Sequence, residues 1–230
     1  MTSTGLVLEQ IEIGPMMNFV YLFGCPKTRA AAVVDPAWDV PAILRQARKL
    51  DLRILHILVT HAHPDHINGL EELLVATGAQ VYLQSDEIAY MREMAGRYQV
   101  SIEYLDRRAG NIRPVSDDEE IRIGDLAVRA LHTPGHTPGS QCFLVEKKLF
   151  SGDTLFVGAC GRVDFPGGDP EKMWWSLNRR LRALDDDIVL YPGHSYGDRA
   201  TSTLGEEKKS NPYMQFASAE DFRRAMGMGR

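Results

Sequence analysis

The segment LVTHAHPDHING, residues 58–69, constrains the fold of this chain more than any other part of the sequence. It places three histidines and one aspartate within six positions, directly after an apolar segment that predicts a buried strand. Polar side chains gathered at the end of a buried strand cost free energy unless something compensates them. Imidazole nitrogens and carboxylates are the usual ligands of zinc and similar divalent ions. The segment therefore predicts a metal site that includes His61, His63, Asp65 and His66.

Three later segments repeat this arrangement of a strand followed by a potential ligand. His136 lies in HTPGHTPG, Asp153 in SGD and His194 in YPGH, and each follows a predicted strand. Loops at strand ends can converge on one edge of a sandwich, which is where functional sites tend to lie. The two remaining histidines are interpreted differently. His56 is predicted to be structural within its strand, and His132 to have a structural or supporting role near the site.

The order of the predicted elements indicates two packed sheets with helices outside, an α+β class. Strands dominate the start of the chain, and strand–helix alternation follows. This includes a helix over residues 41–50 capped by Asp39 and a second helix capped by Ser85. The uniformly apolar residues 54–59 predict a fully buried strand. Residues 111–120, NIRPVSDDEE, predict a mobile loop. A helix in the second half has an apolar face, formed by Leu177, Leu181 and Leu184.

Length and charge exclude several broad classes. A chain of 230 residues is ample for one core and short for two, so residues 1–230 are predicted to form one domain. The net charge of −5 argues against nucleic acid as a partner. The sequence lacks a signal-peptide pattern and an apolar run of the ~20 residues that span a bilayer, so no membrane association is expected. Three scattered cysteines favour reduced thiols and a cytoplasmic location.

The motifs together resemble the metallo-β-lactamase fold superfamily, and within it the glyoxalase II (hydroxyacylglutathione hydrolase) group. The resemblance runs from about residue 15 to residue 213. Its matching segments are THAHPDH, HTPGHTPGS, FSGDTLF, GRVDFPGGDP, LYPGHSYG and TLGEEKKSNPY. It implies a four-layer αβ/βα sandwich of two mixed β-sheets flanked by helices, with the site at one edge. The short C-terminal helical tail is expected to begin at about residue 198.

The resemblance also implies two divalent metal ions. Zinc is the expected metal, with iron or manganese as the other candidates. The first ion would be held by His61, His63 and His136, the second by Asp65, His66 and His194, and Asp153 would bridge the two.

The implied chemistry is hydrolysis of a thioester, a small-molecule substrate. Two ions ~3.5–4 Å apart lower the pKa of a shared water and supply hydroxide, which would attack the thioester carbonyl. A thiolate leaves with a conjugate-acid pKa of about 8.5, so no strong general acid is needed. Asp65 is the expected catalytic residue, because it would accept a hydrogen bond from the hydroxide as well as ligate an ion.

Substrate contacts are less specified by the motifs. Arg162 is a candidate for binding a substrate carboxylate, and an internal Arg162–Asp164 pair is the alternative. Tyr196 is a candidate for contacting substrate, with simple packing as its alternative. Cys160 is a candidate for lining the pocket. Lys208 and Lys209 are predicted to be solvated rather than to bind substrate.

Three other functions stay open at this point. The strongest resembles the persulfide dioxygenases, whose loop is close to ACGRVDF here. Those enzymes use one iron, which His61, His136 and Asp153 would bind in this chain. The negative net charge of the chain disfavours a nuclease or nucleic-acid-binding module. The complete set of ligands disfavours a non-catalytic scaffold that is only stabilised by metal. A homo-oligomer is compatible with the sequence.

Overall fold

The computed structural model describes residues 5–227, whose strands form two six-stranded mixed sheets and one short ribbon. In sheet 1, strands that follow one another in the chain are also neighbours. Its first three strands are antiparallel and the rest run parallel. These strands are β1 Val7–Ile13, β2 Asn18–Gly24, β3 Ala30–Val34, β4 Arg53–Leu58, β5 Gln80–Gln84 and β6 Ile112–Val115.

Sheet 2 is built from the second half of the chain. Its strands are β7 Glu120–Ile123, β8 Leu126–His132, β9 Gln141–Val145, β10 Lys148–Gly152, β13 Val189–Pro192 and β14 Ser202–Thr203. They are arranged in the order β14-β13-β10-β9-β8-β7. The ribbon pairs β11 Leu155–Phe156 with β12 Ala159–Cys160. Only β10 and β13 run parallel within sheet 2. The long helical connection between them brings the chain back to the end of the sheet where β10 began.

Helices cover the outer face of each sheet. Those that follow strands of sheet 1 are α1 Val40–Lys49, α2 Pro64–Ile67, α3 Leu70–Thr77, α4 Ser85–Tyr98 and α5 Tyr104–Arg107. Those on sheet 2 are α6 Pro170–Trp175, α7 Leu204–Ser210 and α8 Ala219–Ala225, and α6 continues as a π-helix over Ser176–Leu181. Short 3₁₀ turns lie at Ala109–Asn111 and Pro212–Met214.

Alternation along β2 shows how four layers arise. Phe19, Tyr21 and Phe23 point between the two sheets and pack with residues of sheet 2. Val20 and Leu22 point the other way, into a second cluster shared with the helices outside sheet 1. A third cluster joins the outer face of sheet 2 to its own helices. Successive strand residues face opposite sides, so one fully buried strand serves two apolar layers. This is the four-layer αβ/βα sandwich, in the α+β class, that the resemblance implied.

Several local predictions are confirmed. Asp39 caps α1, since its side chain accepts a hydrogen bond from the Ala42 N–H at 2.8 Å. Leu177 and Leu181 are fully buried, while Leu184 is only partly buried at the edge of the same cluster.

Three other local predictions were wrong. Ser85 is the first residue of α4, and the side chain of Gln84 provides the cap by accepting from the Asp86 N–H. The predicted mobile loop at 111–120 contains β6, which pairs in parallel with β5; only residues 116–119, which include the charged Asp117, Asp118 and Glu119, form a turn between β6 and β7. Residues 54–59 are not uniformly buried, because Leu55 is 38% exposed.

The segment after residue 198 is attached to sheet 2. β14 pairs with β13, and Leu204 and Phe222 of the following helices are fully buried in the cluster outside that sheet. That one domain spans residues 1–230 stays a prediction, and residues 1–4 and 228–230 lie outside the described residues. Among residues 5–227, none of the helices combines the length and hydropathy needed to cross a bilayer.

Candidate metal centre

The seven predicted ligands meet at one edge of the sandwich, where strands of both sheets end. Sheet 1 contributes residues from the turn after β4 and from α2. Sheet 2 contributes one residue from each turn after β8, β10 and β13. The two sets come together because β2 of sheet 1 contacts the turn after β13, where the Phe19 N–H donates to Gly193 O at 2.8 Å. The ligands from the two sets are His61, His63, Asp65, His66, His136, Asp153 and His194.

The first cluster consists of His61, His63 and His136, whose potential ligand atoms all lie within 4.8 Å of one another. Its shortest separation joins His63 Nδ1 to His136 Nε2 at 2.9 Å. His61 and His136 are almost completely buried, at 1% and 4% exposure. Three imidazoles that converge on one point can supply three ligands of a tetrahedral metal site and leave the fourth position open.

The second cluster consists of Asp65, His66 and His194. The Nε2 atoms of the two histidines lie 3.0 Å apart, and Asp65 Oδ2 is 3.4 Å from His66 Nε2 and 3.3 Å from His194 Nε2. Asp153 lies between the clusters. Its Oδ2 is 3.5 Å from His136 Nε2, and its Oδ1 is 3.4 Å from His66 Nε2.

Hydrogen bonds fix which nitrogen carries the proton in the first cluster. His136 Nδ1 lies 2.8 Å from the carbonyl oxygen of Arg162, which can only accept, so Nδ1 is protonated and Nε2 has a free lone pair. The Tyr90 hydroxyl donates its one proton to the carbonyl oxygen of Pro166 at 3.1 Å, which can only accept, and the Tyr98 hydroxyl at 2.8 Å can donate to Tyr90. The Tyr90 oxygen therefore accepts from His63 Nε2–H at 3.3 Å, which leaves the lone pair of His63 on Nδ1.

The same logic applies to the second cluster. His66 Nδ1 donates to Asp35 Oδ2 at 3.0 Å, and His194 Nδ1 donates to the carbonyl oxygen of Met16 at 2.9 Å. With Nδ1 engaged in this way, the two Nε2 atoms face each other and are left to bind either a metal ion or an added proton. His61 follows the pattern too. The Thr60 hydroxyl donates to Asp35 Oδ2 at 2.5 Å, so its oxygen accepts from His61 Nδ1 at 3.1 Å.

These lone pairs test whether the residues fit metal ions. Two pairs of imidazole lone pairs face each other at 2.9 and 3.0 Å, an arrangement that repels unless a cation or proton lies nearby. His61 Nε2 and Asp153 Oδ1 are buried polar atoms without a hydrogen-bond partner in the described part of the chain. Buried polar atoms are normally satisfied. A ligand set whose remaining N–H groups are all held by acceptors is typical of metal-binding histidines, so the residues fit a pair of divalent ions.

The pKa values of the histidines differ between the two clusters. Burial and the neighbouring His136 lower the pKa of His63 to about 3, and burial also lowers the pKa of His61 and His136. Burial lowers the pKa of His194 as well, but hydrogen bonds to Asp153 and Asp65 outweigh it and raise that pKa to about 10. The first cluster is therefore neutral at pH 7, and the second favours positive charge.

Each ligand from sheet 2 directly follows a closely packed glycine; a Cβ at Gly135, before His136, would lie 2.4 Å from the Met173 Cα. Gly152, before Asp153, has φ +50°, and a Cβ there would lie 2.3 Å from Thr60 Oγ1. Gly193, before His194, approaches Asp153 so closely that a Cβ would lie 2.4 Å from Oδ1. Side chains at these positions would displace the turns that carry the ligands.

Sequence reasoning missed two buried acids that hold the ligand turns. Asp35 follows β3 and accepts from the Thr60 N–H at 2.7 Å as well as from His66; its strand-end position was a usable signal. Glu87, at the start of α4, accepts from the Ala62 N–H at 2.6 Å, the Thr137 hydroxyl at 2.7 Å and the Gly139 N–H at 2.9 Å. It thereby joins the turn of His61 and His63 to the turn of His136, and no motif indicated it.

A cavity of about 570 Å³ opens over the two clusters. Arg162, Tyr196 and Cys160 all line it. The Arg162 guanidinium forms two hydrogen bonds with Asp164, at 2.8 and 2.9 Å, as in the internal pair considered from sequence. Tyr196 is 49% exposed and stacks on His194, with ring centroids 4.5 Å apart.

The other histidines and lysines are placed as follows. His56 lies 3.2 Å from the Tyr82 hydroxyl within sheet 1, in keeping with a structural role. His132 Nε2 donates to Pro138 O at 2.9 Å and braces the turn that contains His136. The prediction that Lys208 is solvated was wrong, because its side chain is largely buried and its ammonium group pairs with Asp186 at 2.7 Å. Lys209 is exposed.

Known proteins share this architecture. The chain is 31% identical to the probable polyketide biosynthesis zinc-dependent hydrolase BaeB of Bacillus velezensis, over 89% of this chain and 85% of that protein. It is 34% identical to the probable hydroxyacylglutathione hydrolase glo2 of Schizosaccharomyces pombe, over 86% and 82%. It is 29% identical to the human mitochondrial persulfide dioxygenase ETHE1, over 96% and 81%.

Solved structures agree with these relatives. The crystal structure of ETHE1 from Myxococcus xanthus has a TM-score of 0.81 and 31% identity, covering 96% of this chain and 90% of that one. The structure of TTHA1623 in a di-iron-bound form has a TM-score of 0.74 and 29% identity, covering 89% and 99%. Residues 13–194 match the family description Metallo-beta-lactamase superfamily. With its two sheets, its strand-end ligands and this match over most of its length, the chain belongs to the metallo-beta-lactamase superfamily of metal-dependent enzymes.

Proposed function

We propose that this protein is a metal-dependent hydrolase of thioesters, similar in its chemistry to the hydroxyacylglutathione hydrolases. One observation carries the proposal: the second cluster is prepared as completely as the first. Asp65, His66 and His194 converge, and both histidines are oriented by acceptors that leave their Nε2 lone pairs free. A dinuclear hydrolase uses this second set to bind an ion, whereas a mononuclear enzyme would leave it without one.

Seven residues would hold two divalent ions, for which zinc is our first choice. His61, His63 and His136 would bind one ion, Asp65, His66 and His194 the other, and Asp153 would lie between them. When bound, such a pair lowers the pKa of a shared water and polarises a carbonyl oxygen.

Asp65 is the candidate catalytic residue. Burial raises its pKa, but the hydrogen bond with His194 and the charge of His66 outweigh this and hold the pKa well below its usual range. Asp65 therefore stays ionised and can only accept. Asn18 Nδ2 donates to its Oδ2 at 2.9 Å, which orients the carboxylate toward the cavity that it lines. In this position it accepts a hydrogen bond from the attacking water and aims it at the substrate carbonyl.

The cavity favours a thioester over a route through a protein nucleophile. Cys160 is the cysteine that lines it, and burial raises the pKa of that thiol to about 12, so it is not a thiolate at neutral pH. A thioester needs no strong acid at its leaving group, because a thiolate is already a good one. The hydrolase names of BaeB and glo2 support this choice.

A persulfide dioxygenase is the second candidate. The similarity to human ETHE1 extends over 96% of the chain. In that case one iron would be bound by His61, His136 and Asp153, and the second cluster would only support it.

Replacing His194 by alanine distinguishes these functions. In a dinuclear hydrolase, His194→Ala should remove one of two ions and reduce thioester hydrolysis by at least a hundredfold, because the ions share activation of the water and charge stabilisation. The measurement is metal content per chain for wild type and variant, together with thioester hydrolysis. His56→Ala, which changes a histidine outside the site, is the matched control.

The opposite pattern would support the dioxygenase. It consists of one iron per chain in wild type, the same iron retained in His194→Ala, and oxygen uptake with glutathione persulfide. The loss of activity would then be nearer the ~10–100-fold typical of groups that only orient ligands. That pattern would refute the thioester hydrolase.

A further inference from the structure

Two apolar walls flank the candidate ligands, one over each cluster. The first wall lies over the second cluster and consists of Met16, Phe156 and Tyr196. Tyr196 stacks on His194 at an interplanar angle of 7°, and Phe156 packs against Tyr196 with ring centroids 5.5 Å apart. Met16 is 45% exposed. This side of the cavity therefore presents apolar surface from the ligands up to the rim.

The second wall lies over the first cluster. Phe165 stands edge-on to His63 and His136, with centroids at 4.9 and 5.0 Å. Tyr98 lies beside it, 5.8 Å from the His63 ring, and its hydroxyl is engaged with Tyr90 at 2.8 Å. Both side chains line the cavity. A carbonyl bound above the two clusters would thus have aromatic surface on both sides.

Cationic groups are scarce around this space. Among the described residues that line the cavity, Arg162 is the only side chain other than histidine that can carry positive charge. Its guanidinium is already matched by Asp164 in a two-bond pair. An anionic arm of a substrate would have to compete with that carboxylate, and a charge placed against apolar walls without a partner is costly.

We infer that the site takes thioesters whose acyl and thiol arms are both uncharged and largely apolar, in preference to thioesters of glutathione. This rests on the proposed hydrolase function and specifies its substrate class. A thioester extends in two directions from its carbonyl carbon, so each arm lies along one aromatic wall. Glutathione brings two carboxylates and one ammonium group, for which the cavity provides a single, already paired guanidinium. The cavity volume of about 570 Å³ suits a small ligand of this type.

The first test compares substrates that share an acyl group. Hexanoyl thioesters of N-acetylcysteamine and of glutathione should differ in kcat/KM by at least tenfold in favour of N-acetylcysteamine. Phe165→Ala should reduce kcat/KM for the hexanoyl thioester of N-acetylcysteamine more than for its acetyl thioester, because the longer chain loses more apolar contact. A wild-type preference for the glutathione thioester would overturn the inference and leave the proposed function standing.

A charge variant gives the sharpest control. Asp164→Ala frees the guanidinium of Arg162, and both residues are exposed, so folding should be unaffected. It should raise kcat/KM for the glutathione thioester by about two- to fivefold, the range expected for an exposed ion pair. The N-acetylcysteamine thioester should be unaffected, and the double variant Asp164→Ala/Arg162→Ala should lose the gain. A gain of equal size on both substrates would contradict the role given to this pair.

A binding measurement keeps the inference separate from turnover. S-hexyl-N-acetylcysteamine and S-hexylglutathione are thioethers that cannot be hydrolysed, and their Kd values can be measured by calorimetry on the metal-loaded protein. Tighter binding of the uncharged thioether supports the inference even if no thioester is hydrolysed, which would refute the hydrolase alone. Tighter binding of S-hexylglutathione overturns the inference.

Discussion

At the scale of single residues, the site depends on groups that do not touch the ions themselves. Each imidazole donates its outward N–H to a fixed acceptor, such as the Met16 carbonyl for His194 or Asp35 for His66. The ligands could be predicted because they recur after strands in recognisable motifs. Among the acceptors, only Asp35 has such a signal, its position after β3; the backbone carbonyls have none, since any residue can supply a carbonyl.

Glu87 provides a test at this scale. Its carboxylate accepts three hydrogen bonds that join the turn of His61 and His63 to the turn of His136. Glu87→Ala should therefore weaken metal affinity of the first cluster by about 10–100-fold, the range for groups that orient ligands. Glu87→Gln should lose less, because an amide still accepts through its oxygen. Competition with a chelator of known affinity measures both variants.

The control for Glu87 is Glu93, which lies exposed on the same helix. Glu93→Ala should leave metal affinity unchanged. Equal effects of Glu87→Ala and Glu93→Ala would mean that α4 as a whole, and not this carboxylate, sets the position of the ligands.

At the scale of elements, sequence patterns predicted those whose cause is local. The cap of α1 by Asp39 follows from nearby residues. β6 could not be predicted in this way, because Ile112–Val115 forms a strand only through its pairing with β5, and its charged neighbours resemble a loop. Gln84, and not Ser85, caps α4, because β5 continues up to Gln84. The end of the strand therefore determines where the helix begins.

The turn after β13 gives a prediction for an element. A Cβ at Gly193 would lie 2.4 Å from Asp153 Oδ1 and 2.9 Å from the Gly152 carbonyl carbon. Gly193→Ala should therefore push Asp153 out of position and lower metal occupancy in both clusters, with loss of activity. Gly96→Ala is the matched control, because a Cβ there meets nothing within 4 Å. In a helix this change should leave metal binding intact and stabilise the protein by about 0.5–1 kcal/mol. Full occupancy in Gly193→Ala would show that the turn can adjust.

At the scale of the whole molecule, the centre connects the two halves of the sandwich. The first cluster takes His61 and His63 from sheet 1 and His136 from sheet 2. The second takes Asp65 and His66 from sheet 1 and His194 from sheet 2. Each ion would therefore cross-link the sheets, in addition to the apolar layer of Phe19, Tyr21 and their neighbours between them.

Metal removal should consequently destabilise the entire fold and not only the edge. A ligand that binds the native state alone contributes about 4 kcal/mol when its concentration is a thousandfold above Kd. For a chain of this length, that corresponds to roughly 10 °C in Tm for each ion, so removal of both ions by chelation should lower Tm by roughly 20 °C. The measurement is thermal unfolding followed by circular dichroism, before and after chelation, with metal content determined in parallel. Asp153→Ala protein is the control, because it lacks the carboxylate shared by the two clusters, so it should already have a low Tm and respond little to the chelator. An unchanged Tm in wild type after complete metal removal would mean that the apolar layer alone holds the sheets together, and that the ions serve chemistry without supporting the fold.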